Sequence, residues 1–260
     1  MLERTINDLK KYLAFSIKMA KYELRAEVAG SYLNWLWWII TPLSFMLLYT
    51  FVFGYVFNAS EPYFPIFIFI GIAIWDFFRA SLTNSVNVIK RNKMIISRVY
   101  MPKYILLLIL LWKNAFKMMI AFGIVFAMML VYSVPISINV LYFFPILFVI
   151  FCVTFGFSCF VMHYGVFIAD MANVMSLFLR MLMYLTGIFY NVETRIPEYG
   201  AILNTYNPMA FLISCMRECL IYEVRPDIIY FWFWAVIGMV ISCLGIRKIY
   251  KEENGYLKVI

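Results

Sequence analysis

Charge is scarce in this chain. Of its 260 residues, 14% are Asp, Glu, Lys or Arg, against about a quarter in a soluble domain. A single histidine, His163, excludes a metal site built from several imidazoles of one chain. The five cysteines, Cys152, Cys159, Cys215, Cys219 and Cys243, are an odd number with no CxxC, and they read as small apolar residues rather than a disulfide or zinc framework. No GxxxxGK followed by Ser or Thr occurs and the glycines stand singly, so the chain does not bind and split ATP through a phosphate loop. The first 30 residues are charged and amphipathic, unlike the short apolar core of a cleavable leader. Five of the 14 acids lie in residues 191–228, where Glu193, Glu198, Glu218, Glu223 and Asp227 are interleaved with Arg195, Arg217 and Arg225. That mixture reads as a solvated, ion-paired surface rather than an acid–base site.

What is present is hydrophobic length: 65% of residues are apolar, and they fall in blocks. Residues 35–57 carry no charge. At about 1.5 Å per residue they cross a hydrocarbon core of roughly 30 Å. Further spans are expected at 64–88, 104–132, 140–161, 172–190 and 229–246. The fold class is therefore all-α and polytopic, one transmembrane domain of six helices over residues 1–260. Ile6, Leu9, Leu13, Ile17, Ala20 and Leu24 recur at steps of three or four with Lys10, Lys11, Lys18 and Lys21 between them. This pattern predicts an amphipathic helix over 1–30, lying on the membrane surface or packed on the protein's own end. Residues 191–228 are too short in their apolar stretches to span and too apolar to float. They predict a re-entrant helical hairpin broken at Asn207-Pro208 between spans five and six.

Basic residues fix the topology. Fifteen of the 22 Lys and Arg fall in residues 1–34, 87–103 and 247–260, whereas 58–64 and 133–138 hold none and 191–228 holds three. By the positive-inside rule both termini face the cytoplasm. The same distribution argues against nucleic acid, because the positive charge is divided among short connections rather than gathered on a polar domain. The connection 163–172, through His163 and Asp170, has no Lys or Arg, and its inner placement rests on counting spans.

Four positive charges remain inside spans, and these are functional candidates by default. Asp76 and Arg79 are three apart, on one helical face, as a structural pair or part of a pathway. Lys113 and Lys117 share a face and either snorkel to the inner interface or line a polar path for an anionic group. Arg180 lies deep in the fifth span with no acid beside it in sequence. Aromatics are the surplus, at 20% of the chain. Tyr49, Phe53, Tyr55 and Phe57 either face lipid or line a conduit, in which aromatic faces would suit a sliding polysaccharide. Met94, Ile95 and Ile96, followed by Ser97, Arg98, Val99 and Tyr100, predict a short helix with an apolar side in the basic segment, ended by Pro102.

Four stretches in order, RAEVAGSYLNWLWWIITPL, FPIFIFIGIAIWDFF, VNVIKRNKMIISRVYMPKYILLL and GIFYNVETRIPEYGAILNTYNPMAFLISCMRECLIY, together resemble the permease subunits of ABC-2 type exporters that carry O-antigen, teichoic acid and capsular polysaccharides. The chain departs from that pattern at Asn34, where the family often has glycine, at Ala169, and at Thr186-Gly187, where it often has Ser-Pro. The resemblance implies a transport subunit rather than an enzyme, in the bacterial cytoplasmic membrane. It implies a second copy of the chain, two separate ATPase subunits that hold ATP and Mg, and a lipid-linked glycan as substrate, with no cofactor in this chain. Met94 to Tyr100 would be the coupling helix, the amino-terminal helix would be the interface helix, and residues 196–222 would cap the outer mouth. An exporter of a small lipid or drug would share this architecture. A membrane-embedded transferase would need an acid, base or metal cluster that the sequence lacks. If Lys113, Lys117 and Arg180 offset the phosphate charge of such a substrate, replacing all three by Gln lowers glycan export at normal protein levels. Unchanged export withdraws that role.

Overall fold

The computed structural model describes residues 2–30, 32–57, 61–98, 100–195 and 198–259. The expectations for residues 58–60, Val99, Ile196 and the Ile6 side chain fall outside the described set. Every regular element described is helical. Helix α1 (Leu2–Val28) is followed by a 3₁₀ turn (Asn34–Leu36), α2 (Trp37–Tyr49) and a π-helical continuation (Thr50–Val56). Then come α3 (Phe64–Ser85), the short α4 (Val88–Arg91) and α5 (Lys93–Arg98), α6 (Tyr104–Val131), and α7 (Phe143–Phe167) behind a second 3₁₀ turn (Ile138–Tyr142). The chain closes with α8 (Met171–Leu185), α9 (Val192–Arg195), α10 (Gly200–Tyr206), α11 (Pro208–Leu220) and α12 (Ile228–Val259). Long runs of Leu, Ile, Phe and Met leave helix as the way to satisfy every backbone group internally where no water reaches.

Among the described residues five helices are long and apolar enough to cross a membrane: Asn34–Val56, Phe64–Ser85, Tyr104–Val131, Ile138–Phe167 and Ile228–Glu253. The protein is a multi-pass membrane protein. The expected fifth span is shorter than its 172–190 block, because α8 ends at Leu185 and Gly187, at φ +65°, turns the chain. The fourth span runs on to Phe167, so His163 lies within α7 and not in the connection after it. The last helix continues to Val259, so the basic tail expected after Ile246 is helical.

Helix α3 is the axis: 78% of its most apolar window is buried, against 6% for Asn34–Val56. It packs between α6 and α7, with α12 laid along α7. Glycine permits that last contact. A Cβ on Gly156 would stand 2.8 Å from Ile241 Cγ2 and 2.9 Å from the Ser242 nitrogen, and one on Gly245 would stand 2.5 Å from Cys159 Cβ. Small residues let two apolar helices approach backbone to backbone, the main source of attraction where lipid competes equally for apolar surface.

The two ends of the bundle are tied differently. At one end Tyr250 on α12 donates to Asp8 on α1 at 2.6 Å, Tyr100 donates to Glu253 at 3.1 Å, and His163 Nδ1 lies 3.0 Å from the Tyr256 hydroxyl. The amino-terminal helix, the basic segment and the last turns of α12 therefore share one end. At the other, Arg217 on α11 is buried, contrary to the solvated surface expected of it. Its guanidinium donates to three main-chain carbonyls: Phe67 at 3.1 Å, Gly187 at 2.8 Å and Ile188 at 2.8 Å. It also stacks 3.4 Å from the centre of the Phe67 ring. Burial pulls its pKa down to about 9, still protonated at neutral pH. Its neighbour Glu218 is half-buried, and burial, then Glu193 and Asp227, push its carboxyl up to about 7. Asn207 caps α11, its side chain accepting from the Met209 and Ala210 amides, so the break falls at the expected Asn207-Pro208.

Two stability predictions follow from these contacts. Gly156→Ala lowers the melting temperature in detergent, at a cost of roughly 1–3 kcal/mol for overpacking, whereas Gly123→Ala, with open space around its Cβ, leaves it unchanged or raised. Arg217→Met leaves the buried Gly187 and Ile188 carbonyls without this donor and costs about 3 kcal/mol. Arg217→Lys, which retains the charge and part of the bonding, loses less in the same melt.

Candidate functional site

A cavity of about 700 Å³ opens between the last turns of α1, the start of α2, the second half of α3 and the middle of α6. Four candidates of the sequence analysis line it: Asp76, Arg79, Lys113 and Lys117. Asp76 and Arg79 form their expected pair on α3 at 3.0 Å. The lysines find their partners on another helix. Lys113 lies 3.3 Å from Glu23 and 4.0 Å from Glu27, and Lys117 pairs with Glu27. Glu23 and Glu27 are four apart on α1, and Lys113 and Lys117 are four apart on α6. The two helices thus run in the same direction here and match turn for turn. The remaining wall mixes aromatic and apolar residues, among them Trp37, Trp38, Pro42 and Phe77, with the polar Asn34, Thr41, Asn84 and Asn114. The Lys117 ammonium stands 5.7 Å from the Trp38 ring centre.

The depth of this cavity can be read from one hydrogen bond. Asn114 on α6 donates to Ser81 on α3 at 3.0 Å, with both residues buried. From that level to the far end, α3 back to Phe64 and α6 on to Val131 each supply 18 residues. That is about 27 Å of helix, close to one hydrocarbon thickness. The opposite part of α6, Tyr104 to Leu111, is buried on all sides within the protein.

Arg180 is not brought to the lysines. It is exposed on α8, among the exposed Leu177, Phe178, Met181 and Tyr184. The aromatics of the first span divide. Tyr49 and Phe53 pack on Phe189, at 4.6 and 4.8 Å between ring centres, and Phe57 stacks on Phe53 at 5.6 Å. Tyr55 stands apart on the other face with Phe51, 82% exposed. Three of the four thus form one stripe, completed by a residue from beyond α8.

The expected short helix is α5, and the chain enters it through α4. Ile96 is buried, anchoring the elbow, while Met94, Ile95 and Tyr100 are exposed, Met94 at 71%. Ser97 and Arg98 are also exposed. Behind the elbow, burial lowers the pKa of Lys103, opposed by Glu253, and its ammonium donates to the Met101 carbonyl at 3.2 Å. On α1 the packed face centres on Ser16, Ala20 and Leu24, leaving Leu13 and Ile17 exposed. The apolar stripe read from the sequence is thus split between bundle and surroundings.

Glu23, Glu27 and Phe189 were not singled out from the sequence. The signal for the acids was available: two carboxylates at helical spacing in an otherwise basic helix, matching two lysines at the same spacing. Arg217 gave no such signal, because its partners are main-chain carbonyls.

Residues 18–221 match the family model described as ABC-2 type transporter. Two proteins named O-antigen export system permease protein RfbA from Klebsiella pneumoniae are 27% and 26% identical to this chain, each alignment covering 92% of both sequences. A protein of the same name from Myxococcus xanthus is 23% identical over 86% of both. With a bundle of membrane-length helices and a match over most of its length, this chain belongs to the ABC-2 type transporter family.

Proposed function

We propose that this chain is the transmembrane permease subunit of an ATP-driven exporter that moves a lipid-linked polysaccharide across the bacterial cytoplasmic membrane. The observation that carries this reading is the likeness, over 86% to 92% of the chain, to three proteins named O-antigen export system permeases. The substrate is a glycan of the O-antigen, teichoic acid or capsule type, and the working unit is two copies of this chain with two ATPase subunits. ATP and Mg are bound in those subunits, and this chain supplies the path and the handle.

The arrangement of the ends supports the details. The shared end carries α1, the basic elbow and the last turns of α12, and is assigned to the cytoplasm by its positive charge. A chain whose two ends lie on one side crosses an even number of times, so the five long helices need a sixth crossing, which we assign to α8. Its 15 residues span about 22 Å, and residues 186–190 complete the passage to the end held by Arg217. Helices α10 and α11 then form a re-entrant hairpin at the outer mouth, pinned by the Trp234 indole on the Thr205 carbonyl at 2.9 Å and by Tyr222 on Glu61 at 2.6 Å. Leu13 and Ile17 of α1 lie toward the membrane surface.

In this reading the exposed Met94 and Ile95 are the apolar contacts that enter a cleft of the ATPase. Met94→Asp with Ile95→Asp buries charge in that contact and spares Ile96. The double variant is expected at normal levels in the membrane, with copurification of the ATPase reduced at least tenfold and export lost. Undiminished copurification overturns the assignment of the elbow.

A further inference from the structure

The cavity between α1 and α6 holds its cations in an unusual way. Lys113 and Lys117 belong to a core helix, but the carboxylates facing them, Glu23 and Glu27, belong to the peripheral α1. The other ion pair of the cavity, Asp76 with Arg79, is made within α3 and is self-contained. Moving α1 therefore frees two positive charges and leaves the rest of the site neutral. Those charges sit about one hydrocarbon thickness from the far end of the bundle, beside Trp37 and Trp38, residues favoured at headgroup depth. Phosphate esters of membrane lipids lie at that depth. The walls suit them: two ammonium donors, an indole face and an apolar floor of Pro42, Phe77 and Met118.

We propose that this cavity receives the phosphate end of the lipid-linked substrate, and that Glu23 and Glu27 hold its place until it arrives. The inference rests on the transport reading above. A diphosphate bonds both lysines with more charge than one carboxylate brings to each, so its entry displaces the glutamates and loosens the end of α1. Loading of the substrate and release of the amino-terminal helix are then one event. The glutamates oppose binding, which distinguishes this site from an ordinary basic pocket whose every polar residue assists.

The test uses the purified full-length protein in phosphatidylcholine nanodiscs, with farnesyl diphosphate as the probe and titration calorimetry as the readout. Glu23→Gln with Glu27→Gln keeps both lysines and removes their competitors, and binding is expected to tighten by roughly tenfold, the effect of two half-exposed ion pairs. Lys113→Gln with Lys117→Gln weakens binding at least tenfold, and the variant with all four changes binds as weakly as the lysine variant. Because the glutamine variant of α1 retains the lysines, its result stands even if the lysine variant fails to fold. Equal affinity in wild type and the glutamine variant, or weaker binding in it, overturns the place-holding role. Inorganic pyrophosphate binding as tightly as the probe overturns the lipid assignment, and phosphatidylglycerol competing equally with the probe reassigns the site to bulk lipid and overturns it for the substrate. Glycan export by the wild-type complex, followed separately in cells, decides the transport reading. Normal export beside unchanged binding in the variants therefore sinks this inference alone.

Discussion

Two ammonium groups in the middle of a long apolar helix set the placement of everything around them. Lys113 and Lys117 hold the centre of α6 at the boundary of the hydrocarbon, because an uncompensated charge deeper in lipid costs several kcal/mol. With that point fixed, the first turns of α6 fall beyond the boundary, where YILLLILL would be exposed to water. The protein covers them. Helix α1 packs along α6, α4 and α7 contact it, and Tyr250 of α12 meets the ring of Tyr104 at 5.6 Å. The amino-terminal helix is therefore more than a surface float. It supplies both the counter-charge and part of the cover that the lysines make necessary.

The opposite end of the bundle solves the same problem without a second charge. Arg217 occupies a buried position where Gly187 and Ile188, beyond the end of α8, present carbonyls outside any helix, and where it also reaches the carbonyl of Phe67 in the first turn of α3. Gly187 turns the chain out of α8 with a positive φ that a side chain would resist, and this turn delivers two of the three carbonyls. Gly71 makes room on α3: a Cβ there would stand 2.8 Å from the arginine's Nη2. One side chain thus joins α3, the end of α8 and α11, and holds Ile188 beside Phe189, the ring that completes the aromatic stripe of the first span. Burying a guanidinium is expensive in isolation, and three carbonyls with a ring face offset it in the way water otherwise would.

Hydropathy made the bundle legible because the solvent imposes it: a run of some 20 apolar residues has few alternatives to crossing. Five spans, the amphipathic first helix, the break at Asn207-Pro208 and the Asp76–Arg79 pair all follow from local spacing. What failed to read was decided by partners distant in sequence. The last helix runs beyond Ile246 because protein, not lipid, covers its later turns, with Ile249 and Tyr256 buried and Tyr256 reaching His163. The fourth helix absorbs His163 for the same reason. Arg217 looked like one more surface arginine among acids, since carbonyls leave no trace in a charge pattern. Lys113 and Lys117 were found, but their partners stand 90 residues away in the chain, and only the shared spacing of four hinted at the match.

The same contacts connect the elbow to the cavity. Tyr100, at the end of the elbow, bonds Glu253 on α12. One turn back along α12, Tyr250 bonds Asp8 on α1. From Asp8, α1 continues unbroken to Glu23 and Glu27 and their lysines. Helices transmit displacement along their length far better than side chains do, so pushing the elbow moves α1 against α6 as a unit. At the far end the geometry offers two discrete states rather than a continuous slide: carboxylates seated on the ammonium groups, or withdrawn from them. A contact path becomes a coupling only when both of its ends bias such a two-state element. Here the ladder between α1 and α6 is that element, touched by the elbow through α12 and, in the proposed function, by the anion that enters the cavity through the lysines. In the proposed exporter, a subunit with no motor of its own could in this way sense an occupied cavity and the motor's stroke through one helix.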